Sequence, residues 1–154
     1  MHNPLVKAFA LVGVALLAMS PTWADTPGKH PAYLHALSDL RDSRAHLQQQ
    51  GTGNATGDLA EAHAIEHIDN AINEIKQAAI MDGKNIQDHM PVDAHLDRPG
   101  RLHTALDLLN KAKNDVSGEE DQPDTKGLQM RVLKHIDEAR LSVQHAIEIV
   151  LGHK

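Results

Sequence analysis

An internal repeat with a period of 68 residues constrains the fold more than any other feature of this sequence. The stretch His67-Ile68-Asp69 returns as His135-Ile136-Asp137, and no gap is needed to extend the alignment on either side. Self-similarity at a fixed period predicts two copies of one supersecondary unit. Ten positions are identical in this register, and in the first copy they are Pro31, Leu34, His35, Asp39, Leu40, His67, Ile68, Asp69, Ala71 and Ala78.

Each copy has the pattern of a helical hairpin. Leucine, isoleucine, valine and alanine recur at helical spacing in two segments of each copy, and a glycine follows every segment. The simplest packing of such a chain is an all-α, up-down-up-down four-helix bundle made of two tandem hairpins, about 30–84 and 98–151. The four predicted helices are 31–50, 59–82, 99–117 and 127–151.

The first 24 residues have the pattern of a secretory signal peptide. Lys7 precedes an almost wholly apolar run, Ala8 to Met19, and Thr22-Trp23-Ala24 has small residues at the two positions that a signal peptidase reads. The apolar run is shorter than the roughly 20 residues of a membrane-spanning helix. We therefore expect cleavage after Ala24, a periplasmic or secreted location, and one mature domain, 25–154, that is not attached to a membrane.

The composition of the mature chain restricts its chemistry. No cysteine is present, so disulfides, thiolate metal sites and covalent c-type haem attachment are excluded. The formal net charge of the chain is −6, and it becomes one unit more negative when the leader with Lys7 is removed. Tyr33 is the one aromatic residue after the leader. An acidic chain without a basic run or stacking aromatic residues is a poor binder of nucleic acid, whereas it attracts cations.

Histidine is unusually frequent, and all but one of the 12 histidines follow the leader. A helical projection places His35, His46 and His103 opposite the apolar stripes of their helices, and it places His67 and His135 at the flanks of theirs. Core packing does not explain such positions. Imidazole nitrogen is a favoured ligand for zinc, copper and nickel, so the histidines are candidate metal ligands.

The first predicted metal site lies near the turn between the first two helices. His63 and His67 are four residues apart and share a helical face, and counting outward from the turn places His46 and Asp42 opposite them. Site one is therefore His46, His63, His67 and Asp42, in which the carboxylate completes a set of imidazoles. The alternative is a solvated polar face, since two histidines four residues apart often occur by chance.

The second predicted site lies at the opposite end of the bundle. An up-down-up-down order would begin helices 1 and 3 there, beside the connector between the hairpins. For His35 and His103, the alternative is a helix pair with the aspartate four residues further on, Asp39 or Asp107. Site two is His35, His89, His95 and His103, with Asp93 or Asp97 assisting.

Signatures of an enzyme are missing from the sequence. It contains no Glu-x-x-His, no His-Glu-x-x-His, no glycine-rich phosphate loop and no activated-serine motif. Haem held between His67 and His135 is a minor alternative, because the repeat gives these two histidines equivalent positions. Few aromatic residues are present to line a haem pocket.

Three histidine-containing segments of helices 2 and 4 resemble a known class of protein. They are 62–72 (AHAIEHIDNAI), 133–139 (LKHIDEA) and 143–148 (VQHAIE). These segments are similar to the small histidine-rich metal-binding proteins of the bacterial periplasm. The resemblance implies an up-down four-helix bundle built from short helical repeats, and binding of copper and other divalent ions.

The sequence thus predicts a non-enzymatic periplasmic protein that binds or buffers divalent transition metal ions, with copper, nickel and zinc as the candidates. The alternative is a structural or stress-related interaction bundle whose histidines respond to pH, because imidazole changes charge between about pH 5 and 8. The sequence is compatible with a homodimer.

Overall fold

A computed structural model describes residues 31–49, 55–81, 83, 85–87 and 96–152 of the chain. These residues form four α-helices, so the predicted all-α four-helix bundle is confirmed. Among the described helices, none contains an apolar stretch of the length that a membrane span needs. The predicted signal peptide, 1–24, lies outside the described residues. The helices are α1 (Tyr33–Gln48), α2 (Ala55–Met81), α3 (Arg98–Val116) and α4 (Pro123–Leu151).

The second helix of each hairpin begins four residues earlier than its sequence pattern predicted. Helix α2 begins at Ala55 and α4 at Pro123, and these two positions are equivalent in the repeat. Proline is well suited to the first turn of a helix because its missing N–H has no intrahelical partner there. Asp58 and Glu61, near the start of α2, form ion pairs with the guanidinium of Arg98 at the start of α3.

The helices form a square in which each helix packs against two neighbours. Helix α1 contacts α2 and α3, helix α4 contacts α2 and α3, and the other two combinations lie across the diagonals. The N–H of Ala32 donates to the carbonyl of Asp115 at 3.1 Å, and the hydroxyl of Ser43 donates to the carbonyl of Ala105 at 3.0 Å. Residue numbers rise along α1 as they fall along α3, so these two helices are antiparallel.

The remaining neighbours are antiparallel as well. Arg131 binds Glu74 while His67 lies beside Glu138, so α4 is antiparallel to α2. The bundle is therefore up-down-down-up, with the second hairpin inverted relative to the up-down-up-down expectation. The end of α2 and the start of α3 therefore lie at opposite ends of the bundle.

The connector 82–97 is long enough to join these two ends. Sixteen residues span up to about 50 Å when extended, whereas the 27 residues of α2 are about 40 Å long. The guanidinium of Arg41, midway along α1, donates to the carbonyl of Ile86 at 3.0 Å and holds part of the connector against that helix.

The inverted hairpin gives the molecule a local twofold axis perpendicular to the helices. Helix α1 packs on its repeat equivalent α3, and α2 packs on its equivalent α4. Position 67 meets position 135 at the centre of the α2–α4 pair. The buried residues of these helices agree at eight equivalent positions, which in α2 are Gly57, Ala60, Glu61, Ala64, Ile68, Ala71, Ile75 and Ala78.

The core is aliphatic and rich in alanine. Ala64 and Ala71 of α2 and Ala139 of α4 are fully buried, and their small side chains allow close helix packing. Ile68 and Ile136 are fully buried beside them. Burial of one isoleucine side chain contributes about 1.5–3 kcal/mol to folding. The aliphatic core therefore fixes the α2–α4 seam on which the candidate site lies.

Candidate metal centre

Three potential metal ligands meet on the seam between α2 and α4. His67 belongs to α2, whereas His135 and Glu138 lie one turn apart on α4. Oε2 of Glu138 is 3.1 Å from Nδ1 of His67 and 3.5 Å from Nδ1 of His135. The three ligand atoms lie within 4.8 Å of one another, and no other trio of histidine and acidic side chains in the described ranges is so close.

The repeat explains why these two histidines meet. His67 and His135 each precede a fully buried isoleucine, Ile68 or Ile136, which fixes the rotation of its helix. Each imidazole then lies at the edge of the apolar stripe and reaches across the seam. Because the local twofold axis passes between the two positions, the rings stack with their centroids 5.8 Å apart and their planes inclined by 31°.

Two ring nitrogens of the cluster are buried without a hydrogen bond. Nδ1 of His67 and Nδ1 of His135 are shielded from solvent, and neither makes an aligned hydrogen bond within the described residues, although both lie close to Glu138. Buried polar atoms are nearly always satisfied by a hydrogen bond, a water or an ion. The two nitrogens and one carboxylate oxygen therefore form a donor set suited to a cation.

The size of the cluster suits a small divalent ion. Zinc–nitrogen bonds of about 2.0–2.1 Å at a tetrahedral centre place the ligand atoms roughly 3.3 Å apart. The two distances from Oε2 of Glu138 to the histidine nitrogens, 3.1 and 3.5 Å, lie on either side of this value. The side chains are between 24% and 36% exposed, so an ion can enter from solvent without opening the core.

Ion pairs on either side of the cluster hold the helices in register. Arg131 binds Glu74 across the α2–α4 seam at 2.8 Å, and this hydrogen bond lowers the pKa of the Glu74 carboxyl. On α4, Asp137 accepts from Lys113 of α3 at 2.7 Å, which lowers the pKa of the Asp137 carboxyl. Lys134 is 3.9 Å from the second oxygen of Glu138. Arg131 and Lys113 therefore have carboxylates other than Glu138 as their partners.

Only one member of predicted site one belongs to this centre. His67 is in it, whereas His63 is exposed one turn earlier on α2. His46, expected to face outward, is only 4% exposed, and its carbonyl accepts a hydrogen bond from Arg101 of α3 at 2.6 Å. Asp42 is half-buried on α1. Among the described residues, these three side chains do not form a ligand group with His67.

The structure separates the described members of predicted site two. His89 and His95 lie outside the described residues. The antiparallel register of α1 and α3 places His35 level with about Ala112, nine residues and roughly 14 Å along the axis from His103. Nδ1 of His103 is 2.8 Å from the carbonyl of Pro99 within its own helix. The predicted gathering at one pole depended on parallel α1 and α3.

His35 lies in an open groove between α1 and α3. Asp39 and Asp115 line the same groove, together with Lys111. Burial raises the pKa of the Asp39 carboxyl, and the charge of Asp115 raises it further.

Predicted sites one and two do not include His135 or Glu138. The signal for His135 is the repeat itself, since His67 and His135 are identical positions of the two copies. Glu138 was signalled by its position three residues after His135, which places both on one helical face. The missing information was that equivalent helices pack against each other.

No family model, curated protein or solved structure matches this chain. The similarity to histidine-rich periplasmic metal-binding proteins therefore stays a prediction from the sequence.

The haem alternative has an unfavourable geometry at this seam. A porphyrin between His67 and His135 would have to enter where the rings already stack 5.8 Å apart. Ala64 and Ala139, each about one turn from a histidine of the pair, are fully buried. Insertion of a macrocycle would force the two helices apart and expose this part of the core.

Proposed function

We propose that this protein is a non-enzymatic, exported binder of divalent transition metal ions, acting as a buffer or scavenger of copper, nickel or zinc. The ion is held by His67, His135 and Glu138. The observation that supports this most strongly is the pair of solvent-shielded Nδ1 atoms without hydrogen bonds beside one carboxylate oxygen.

The donor types favour these ions over others. Imidazole suits zinc, copper and nickel, whereas sites made only of carboxylate, carbonyl and water suit magnesium, calcium and manganese. For a given nitrogen and oxygen site, Cu²⁺ binds more tightly than Ni²⁺ or Zn²⁺. The negative charge of the chain raises the local concentration of any cation.

A direct test is calorimetric titration of the mature chain, purified without a histidine tag, with Cu²⁺, Ni²⁺ and Zn²⁺. We expect binding at micromolar or tighter affinity. His135→Ala should weaken it by at least about tenfold, because one of three protein ligands is lost.

His145→Ala is the matched control. His145 also lies on α4 with a glutamate three residues later, Glu148, but its side chain is 61% exposed. We expect this variant to bind like the wild type. Absence of binding heat from the wild type, or equal losses in the two variants, would refute the proposal.

A pH-responsive interaction bundle is the second candidate, and one observation favours it. His67 and His135 stack across the two repeats, so protonation of both would place two positive charges 5.8 Å apart with Glu138 between them. Acid-triggered association of the metal-free protein, combined with no metal binding, would favour this function over the first.

A further inference from the structure

The local twofold axis relates a fourth side chain to the metal centre. Rotation about this axis exchanges residues that are 68 positions apart. It therefore exchanges His67 with His135 and Asn70 with Glu138, so the pair His67 and Glu138 corresponds to the pair His135 and Asn70. Glu138 follows His135 by three residues, just as Asn70 follows His67 by three residues. Glu138 and Asn70 therefore occupy equivalent places on the two sides of the stacked rings.

Asn70 is available for a ligand. Its side chain is half-buried on α2, and it makes no side-chain hydrogen bond to the described residues. Its neighbours in the sequence are engaged, since Asp69 binds Arg44 and Ala71 is fully buried. The amide oxygen of asparagine has two lone pairs and carries no charge.

We propose that Asn70 supplies the fourth protein ligand, its amide oxygen, and so sets the metal preference of the centre; this inference rests on the proposed metal-binding function. The centre is then a set of two imidazole nitrogens, one carboxylate oxygen and one neutral oxygen. The ligand charge is −1 rather than the −2 that a symmetric pair of glutamates would give. Fewer carboxylates disfavour hard cations such as Mn²⁺ relative to Zn²⁺ and Cu²⁺.

The test is titration of the full mature chain with Zn²⁺ and Mn²⁺, using variants of Asn70. We expect Asn70→Ala to weaken Zn²⁺ binding about tenfold. Asn70→Asp, which keeps an oxygen, should restore it. Asn70→Glu should raise Mn²⁺ affinity relative to Zn²⁺ affinity at least tenfold, a change in preference that a purely structural role would not produce.

Asn73→Ala is the control, because Asn73 is an exposed asparagine on the next turn of α2. Circular dichroism checks that each variant folds. If the wild type binds Zn²⁺ and Asn70→Ala binds within twofold of it, the role of Asn70 is refuted while the proposed function stands. If the wild type binds neither Zn²⁺ nor Cu²⁺, the proposed function itself fails, and this inference fails with it.

Discussion

Metal binding should stabilise the fold, because the ligands come from both copies of the repeat. An ion held by His67, His135 and Glu138 joins α2 to α4 across 68 residues of chain. The unfolded chain does not hold these residues together, so binding favours the native state. At a free metal concentration one hundred times the dissociation constant, the free energy of unfolding rises by about 2.7 kcal/mol.

This free energy corresponds to a measurable thermal shift. For a domain of about 130 residues, 1 kcal/mol shifts the melting temperature by roughly 3–5 °C, so Zn²⁺ should raise it by about 10 °C. Circular dichroism at rising temperature measures the shift, and a chelator should reverse it. His135→Ala should melt like the wild type without metal, because its side chain is part-exposed, but should lose the zinc-dependent shift.

His145→Ala should keep the full shift. A shift of equal size in His135→Ala would refute the bridging role of this centre. A wild type that binds Zn²⁺ by calorimetry but shows no thermal shift would show that the unfolded chain, through its many histidines, binds the ion equally well.

Three further predictions concern the fold. Ile136→Ala, which empties a fully buried site, should lower the free energy of unfolding by about 2–5 kcal/mol in urea denaturation. The raised pKa of Asp39 means that its ionised form is disfavoured in the folded state, so Asp39→Asn should stabilise the protein by up to about 1 kcal/mol at neutral pH. That gain should disappear as the pH falls below the unfolded value near 3.8, and Asp107→Asn at the exposed equivalent position should show no such gain. Because the backbones of Ala32 and Asp115 are in contact, cysteines placed at these two positions should form a disulfide under oxidation; failure to cross-link while the bundle is folded would contradict antiparallel α1 and α3.

The candidate site shows how far sequence patterns reach. Helical periodicity placed His67 and His135 at the edges of their apolar stripes, and both lie on the α2–α4 seam. The same reasoning placed His46 on an exposed face, whereas it is buried. Periodicity gives the direction of a side chain from its own helix, but not which helix lies in that direction.

The sequence by itself determined the number of helices, the two hairpins and the aliphatic core. Helical periodicity, turn residues and the 68-residue repeat can all be read without knowing how the helices pack. Only the tertiary structure decided the direction of the second hairpin. The connector 82–97 is long enough for either direction, so the packing of α1 on α3 and α2 on α4 made the choice. That choice separates His35 from His103 and brings His67 to His135.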